Sequence, residues 1–572
     1  MTAPSTAPST AASPSTTASP STTASPSTAP STAPSTAPEE GWDAVVVGGG
    51  HNALVAAAYL GRAGLRTLIL ERRDRVGGAA VTSDLGGVRV PTLAHTVGRM
   101  RASVVRDLDL ASHGLSLVAP DVRVFAPQGR KRSITLWADV DRTAAGLRAW
   151  SERDASRYAD FDRLVRSIGR FLAEIAVTTP PDIESPGLAD ALTGLRLGRT
   201  FRGLGKHDAR TALRVLPMAV ADFVGEAFET DALRAAIAWR GVQYCALGPW
   251  SGGSTAVLLA DSAGNDGGAA GQTVFARGGP GELAWALAAA THAAGVEIRT
   301  DAEVAAITSS DGRATGVALA SGEEIPARIV VSGLDPKRTL VGLVDPVALG
   351  PSLGWRADNI RQPGVVAKIN LVLSKLPKFP AAAEDPGELL RGRILVAPGI
   401  DAMERAFDAS KYGRLSDAPI LEATIPSLVD RTLVEGAKPS TQVMSVILQY
   451  APYTLRDGKW ADRREAVAEL AIRTLETVTP GLGKLVMERE VITPPDLERD
   501  YGLTGGHPLH AEPGLDQFFL WRPLLGHARY RMPLEGLYLA GSGAHPGGGL
   551  TGGPGQNAAR EILIDWKKRK KP

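Results

Sequence analysis

The sequence predicts an α/β protein. A parallel, dinucleotide-binding sheet is drawn from three separated chain segments, and the two segments between them supply a second, α+β domain with a mixed sheet and helices. Three observations carry this reading. The apolar run beginning at Trp42 ends in Gly48-Gly49-Gly50 and passes directly into small residues at helical spacing. A second apolar run, starting at Leu65, closes on the acid Glu71. Glycine-rich loops that open helices recur at 275–287 and 539–560, far along the chain.

The bulk properties fit that organisation. A chain of 572 residues exceeds one ordinary core and is expected to divide. At 44% hydrophobic and 22% charged it is globular in composition, except for residues 1–40. There an Ala-Pro-Ser-Thr theme repeats, which buries too little apolar area to offset ordering and predicts a disordered tail. That start lacks the basic and apolar regions of a secretion signal, and no run is long and apolar enough to span a bilayer. The single cysteine, Cys245, excludes a dithiol–disulfide couple within the chain and reads as a buried, inert thiol. Together these features predict a cytoplasmic protein. The net charge of +2 comes from mixed signs, so no nucleic-acid partner is expected. The basic tail 566–572 (WKKRKKP) reads first as a frayed terminus; its sharper reading is peripheral contact with anionic lipid. No metal-ligating cluster is apparent, and nothing indicates an oligomeric state.

Along the chain, WDAVVV reads as a buried strand, HNALVAAAYLGRAG as a helix and LRTLIL as a second parallel strand. Residues 101–254 are rich in amphipathic helix, notably DASRYADFDRLVRSIGRFLAEIA and TDALRAAIAWRGVQYCALG. ELAWALAAATHAAG is helical; the strands after it turn at Asp311-Gly312, a hairpin signal. VVAKINLVLSKL and TQVMSVILQYAPY are long strands, RREAVAELAIRTLETV is a helix, and GLYLAG is a last strand before the final glycine loop. The expected divisions are 41–100, 255–345 and 496–565 for the nucleotide-binding domain, and 101–254 with 346–495 for the substrate domain.

Gly48-Gly49-Gly50-His51-Asn52-Ala53 fits G-x-G-x-x-A between strand and helix. Gly48 permits the tight turn, Gly50 lets a pyrophosphate approach the backbone, and Ala53 lets helix and strand pack closely. The helix N-terminus offers N–H groups to the phosphates. Glu71 stands where a ribose-binding acid belongs. Arg75, Gly77 and Gly78 then supply a second phosphate-proximal turn, which favours FAD over NAD; an NAD-only dehydrogenase needs no such extension. Asn52, Arg72 and Ala79 lie within the same two motifs and complete the cofactor-binding set there. His51, His95, His507, His510 and His545 are candidates for acid–base work because imidazole titrates near neutrality.

VVVGGGHNALVAAAYLGRAG, ERRDRVGGAA, ARGGPGEL, VVSGLDP, YGLTGGHPLH and GSGAHPGGGLTGGPGQNAA together resemble the phytoene-desaturase-like flavoproteins of the amine-oxidase superfamily. Within that family the likeness is to bacterial relatives of pyridine nucleotide-disulfide oxidoreductase domain-containing protein 2. The resemblance covers roughly residues 41–565. It implies non-covalent FAD in a Rossmann-like domain built from three segments, roofed by an apolar substrate cavity. It implies that Gly48, Gly50, Glu71, Arg75, Gly77 and Gly78 hold the ADP half, with His51 packed by the diphosphate. Val304 meets the adenine through its backbone, and Gly541, Ser542, Gly549 and Leu550 lie by the ribityl chain and ring. Ser542 departs from the acid often found at its position, and the "disulfide" of the label has no counterpart in a chain with one cysteine.

The resemblance further implies that Lys368 points toward flavin N5, and His545 is placed to reach the ring edge; these two are the catalytic candidates. The implied activity is FAD-dependent removal of hydride from a small hydrophobic substrate, with electrons passed to O2, a quinone or another acceptor. An amine oxidase and a flavin-binding scaffold with little turnover are the alternatives.

Overall fold

The computed structural model describes residues 41–265 and 267–569; the 1–40 tail and the last three residues of the basic tail lie outside them. Strand β1 (Trp42–Val47) is buried over its last four residues, as a strand covered on both faces must be. It runs parallel to β2 (Thr67–Leu70) on one side and to Glu324–Ser332 on the other. Helix α1 (His51–Arg62) makes the crossover and packs against helices Gly281–Ala293 and Gly553–Arg569. Small residues make that packing close: a Cβ on Gly555 would collide with the Asn52 carbonyl, and one on Gly333 would stand 2.7 Å from Ala53 Cβ.

Glu297–Arg299 extends the sheet beyond β2, and Leu537–Leu539 adds a parallel strand to the far half of Glu324–Ser332. The near half pairs antiparallel with Arg313–Leu319, which turns back onto Val304–Ser310. Asp311 and Gly312 make that turn with φ of 50° and 75°, the conformation a two-residue hairpin requires. Strands from the beginning, middle and end of the chain thus share one sheet.

The second sheet has seven strands in the order Val486–Ile492, Val366–Leu373, Gln442–Gln449, Leu421–Thr424, Arg393–Val396, Val122–Gln128 and Arg132–Trp137. All neighbours are antiparallel except the pair Arg393–Val396 and Val122–Gln128. Val366–Leu373 and Gln442–Gln449 are buried at every position. Beside this sheet lie helices headed by Glu152–Val177, whose Ser151 side chain caps the first turn.

Burial crosses the divisions expected from sequence. Val104, Leu108, Leu349 and Ala357 join the core of the first sheet, whereas Leu258 and Leu259 join the helical core of the second. Glycine texture marks where loops end; the apolar face of each short helix decides which core it enters. The stretch read as one helix from Thr230 is helical only over Asp231–Ala238, followed by a turn at Trp239–Gly241. Trp239 and Gln243 leave helical register to bond a buried carboxylate described below. The final helix runs to Arg569 with Trp566 buried, so the basic tail begins inside it. Among the described residues no helix is long and apolar enough to cross a membrane.

Candidate cofactor and substrate site

A cleft of about 1920 Å³ runs between the two sheets, with the glycine loop at one end and Lys368 at the other. Gly50 opens α1 with φ −67° and ψ 162°, and a Cβ there would meet no protein atom within 4 Å. Its empty side faces the cleft, where the helix N-terminus favours negative charge. The second loop stacks on the first: Gly77 N–H donates to Gly49 O at 2.8 Å. Gly77 and Gly78 hold φ of 126° and 59°, and a Cβ on Gly78 would lie 3.1 Å from Gly50 Cα. Glycine is needed at both for two backbones to come this close.

Glu71 accepts from Gly49 N–H at 2.7 Å and from Arg73 N–H at 3.0 Å. Each oxygen keeps a lone pair for a hydroxyl donor such as a ribose. His51 Nε2 bonds Gly549 O at 3.1 Å, and Asn52 Nδ2 donates to Ser542 Oγ at 2.9 Å. These two bonds tie the first turn of α1 to the C-terminal glycine loop. Burial, aided by His510, pushes the His51 imidazole down to about 4, so it is neutral near pH 7. Asn52 Oδ1 and His510 Nδ1 are buried on cleft-lining residues without a protein partner. The glycine cradle, the carboxylate and these orphaned atoms fit a phosphate- and ribose-bearing cofactor.

The other end is built on the second sheet. Lys368 lies mid-strand, opposite Ile447 on one neighbour and Ile492 on the other, so it is no edge-strand lysine. Its ammonium donates to Ser445 Oγ. Ser445 Oγ donates to Asn370 Oδ1 at 3.2 Å, and Asn370 Nδ2 to Glu490 Oε2 at 2.9 Å. Burial pushes Lys368 down to about 7, against the pull of Glu422 and Glu490.

Glu422 accepts from His95 Nε2 at 3.0 Å and Gln243 Nε2 at 2.7 Å on one oxygen. On the other it accepts from Trp239 Nε1 at 2.7 Å and Arg393 Nη1 at 3.3 Å. Burial would raise its carboxyl; Arg393 and these donors outweigh that and hold it at about 2. Burial and the Lys368 charge push His95 down to about 4, so its bond to Glu422 comes from a neutral imidazole. Leu93, Val366, Ile447, Leu497 and Leu503 form an apolar cluster whose members line the cleft.

The structure brings Gly48, Gly50, His51, Asn52, Glu71, Arg72, Gly78, Ala79, Val304, Ser542, Gly549, Leu550 and Lys368 to this one cleft. Four expected cofactor contacts fall behind it. Ala53 and Gly77 pack the helix and the second loop. Gly541 is a glycine because a Cβ would strike the Leu334 and Gly333 carbonyls. Arg75 is turned to the surface, where Asp74 holds it through two bonds of 3.0 Å. His545, expected at the ring edge, points instead toward helix Glu152–Val177 and bonds Ile175 O at 3.0 Å. Burial, against that bond, pushes it down to about 3.

His507 bonds Glu512 at 3.2 Å and supports the loop. Cys245 is buried and its thiol pushed up by burial. Glu422, Arg393, Trp239 and Gln243 were not singled out from the sequence. The available signal was a lone acid inside the apolar strand LEAT. Among the described residues no cluster suited to a metal ion occurs.

A family model described as flavin-containing amine oxidoreductase matches residues 54–563. The chain is 34% identical over 548 residues to pyridine nucleotide-disulfide oxidoreductase domain-containing protein 2 of Mus musculus, covering 92% of this chain and 94% of that protein. It is 26% identical over 548 residues to a limonene dehydrogenase polypeptide of Castellaniella defragrans, covering 91% and 94%. The structure of wild-type putrescine oxidase bound to putrescine aligns with a TM-score of 0.56 at 16% identity, covering 92% of this chain and 99% of that one. At that identity the likeness speaks for the fold.

Proposed function

Because this chain belongs to the flavin-containing amine oxidoreductase family and is an FAD-dependent oxidoreductase, we propose that it removes a hydride from a hydrophobic organic substrate to flavin N5. The electrons then pass to O2, a quinone or another acceptor. The observation that supports this reading is one continuous cleft with a glycine cradle at one end and apolar walls around a buried lysine at the other. Bound FAD supplies the two-electron acceptor. Gly50, Gly78 and the first turn of α1 would hold its pyrophosphate, and Glu71 a ribose. Leu93, Ile447 and Leu503 exclude water and orient an apolar substrate. Lys368, poised near neutrality, holds or releases a proton at Nζ.

Limonene, named for one relative, is a hydrocarbon, in keeping with such walls. Two observations weigh against an amine as substrate. Glu422, the buried carboxylate at the floor, already accepts four hydrogen bonds. The aromatic rings of Phe, Tyr and Trp type lining the cleft are only Tyr244 and Tyr501. The test is anaerobic mixing of the FAD-loaded protein with polyenes, acyl chains and amines. Loss of the oxidised flavin bands with an apolar class is expected. Bleaching by amines alone makes it an amine oxidase, and no bleaching with any class makes it a flavin-binding scaffold.

A further inference from the structure

A second chamber of about 970 Å³ lies beside the cleft. Both are lined by Arg99, Gln243, Tyr244, Asp261 and Leu509, which form the neck between them. Leu172, Ile175, Val257, Ala260 and Phe518 give the chamber apolar walls. Three polar side chains interrupt those walls, and each keeps a buried atom with no hydrogen-bond partner: Gln517 Oε1, Arg522 Nε and His545 Nδ1. The three residues are 9%, 1% and 1% exposed.

Their other atoms are committed. Gln517 Nε2 donates to Pro523 O at 3.2 Å, His545 Nε2 to Ile175 O at 3.0 Å, and Arg522 Nη2 to Ser542 O at 2.8 Å. Two acceptors and one donor remain, in a protein interior where such groups are nearly always satisfied. Gly547, at φ 115°, keeps space before the donor: a Cβ there would stand 3.2 Å from Arg522 Nε. The charges are already answered. Arg99 and Arg240 share Asp261 at 3.1 and 2.7 Å, and Glu512 and Asp516 offset Arg522.

We propose that this chamber binds the neutral, hydrogen-bonding end of an elongated apolar molecule, a hydroxyl or primary amide that donates to His545 and Gln517 and accepts from Arg522. The apolar remainder passes the neck toward the cleft. This rests on the reading of the cleft as a site for an apolar substrate. A carboxylate would set its lone pairs against those of His545 Nδ1 and Gln517 Oε1, and an ammonium would add a cation beside Arg522.

The test titrates the full-length, FAD-loaded protein with 1-octanol, octanamide, octanoate and octylamine by calorimetry and thermal unfolding. The two neutral probes are expected to bind, and the charged ones at least tenfold more weakly. Ala260→Phe, which fills the chamber, and Gln517→Leu, which removes an acceptor, are each expected to weaken octanamide at least tenfold with the flavin spectrum unchanged. Failure of both neutral probes to bind, octanoate binding as tightly as octanol, or binding indifferent to both substitutions overturns the proposal. Flavin bleaching is read separately. Octanol binding lost in Ala260→Phe, in a protein whose flavin no apolar compound reduces, retains the chamber and defeats the substrate reading. Bleaching without octanol binding does the reverse.

A different observation carries a second site. Helix Leu188–Gly203 has no buried residue, although helices of this length draw most of their stability from packing. Leu188, Leu192 and Leu195, at helical spacing, are 88%, 66% and 70% exposed, and Leu213 on the next helix is 64% exposed. Arg196, Arg199, Arg202, Lys206, Arg210 and Arg214 accompany them, against Asp190 and Asp208 alone. Apolar side chains flanked by cations match an anionic lipid surface, and the geometry points to this helix pair as a membrane-docking face. Co-sedimentation with phosphatidylcholine vesicles, with and without phosphatidylglycerol, tests it. Binding that needs the anionic lipid and falls at least tenfold in the double variant Leu192→Glu, Leu195→Glu is expected. No vesicle binding, binding lost only on removing residues 567–572, or a dimer that the same double variant dissociates without any vesicle binding, overturns it.

Discussion

Lys368 and Glu422 are neighbours in the same buried floor, and burial acts on them in opposite directions. An unfolded lysine titrates near 10.4, whereas Lys368 titrates at about 7 in the fold. Between those values the unfolded chain binds the extra proton, so this lysine makes stability rise with pH across that window. Below pH 7 the cost of its buried charge is fully present. Lys368→Met is therefore expected to stabilise the protein, on the order of a few kcal/mol at pH 6, fading toward pH 10. Melts at the two pH values check this. The same variant should lower the rate of the flavin reaction about a hundredfold and erase a pH step near 7. Glu422→Gln acts the other way. It strips Arg393 of its carboxylate inside the protein, and loss of one partner from a buried pair costs about 3–5 kcal/mol. Urea titration should show that drop, and a change below about 1 kcal/mol would mean the arginine finds water.

Helix α1 separates two uses of glycine that look alike in sequence. Gly50 has φ −67° and open space where a Cβ would point. Gly50→Ala is expected to leave the apoprotein within about 1 kcal/mol of its original stability while weakening FAD at least tenfold. Gly555 is packed against the backbone of α1 at Asn52. Gly555→Ala should instead destabilise the apoprotein by about 1–3 kcal/mol, the range of overpacking. Apoprotein melts and flavin titrations distinguish the two outcomes. The late glycine loop mixes both kinds: Gly549 lines the cleft, while Gly541 and Gly548 make room for neighbouring residues. The strand–glycine–helix units were legible because turn, helix start and acid are local in sequence. The polar floor was not. His95, Trp239, Gln243, Arg393 and Glu422 come from separate elements and meet only through the second sheet and its helices. His545 was misplaced because its glycine-rich surroundings indicate a loop but not the direction its side chain takes.

At the scale of the whole molecule, the cleft is where distant parts of the chain converge. Gly50, Val304, Lys368 and Ser542 line one space, and the first sheet draws strands from 42–70, 297–332 and 537–539. Few protein bonds close that space from within: His51 to Gly549 and Asn52 to Ser542 join its first and last segments. A cofactor that spans it adds contacts which the unfolded chain does not make, so its binding free energy becomes folding free energy. Free FAD at a hundred times its dissociation constant is expected to add about 2.7 kcal/mol, and a further tenfold excess about 1.4 kcal/mol more. The melting temperature of the apoprotein should rise steadily with FAD concentration. Riboflavin lacks the diphosphate and adenosine that reach the glycine cradle and Glu71, and should give little of that rise. In Gly50→Ala the FAD curve should shift to at least tenfold higher concentration without changing the melting temperature at zero FAD. Equal stabilisation by riboflavin and FAD would place the binding energy at the Lys368 end of the cleft and remove the glycine cradle from the account.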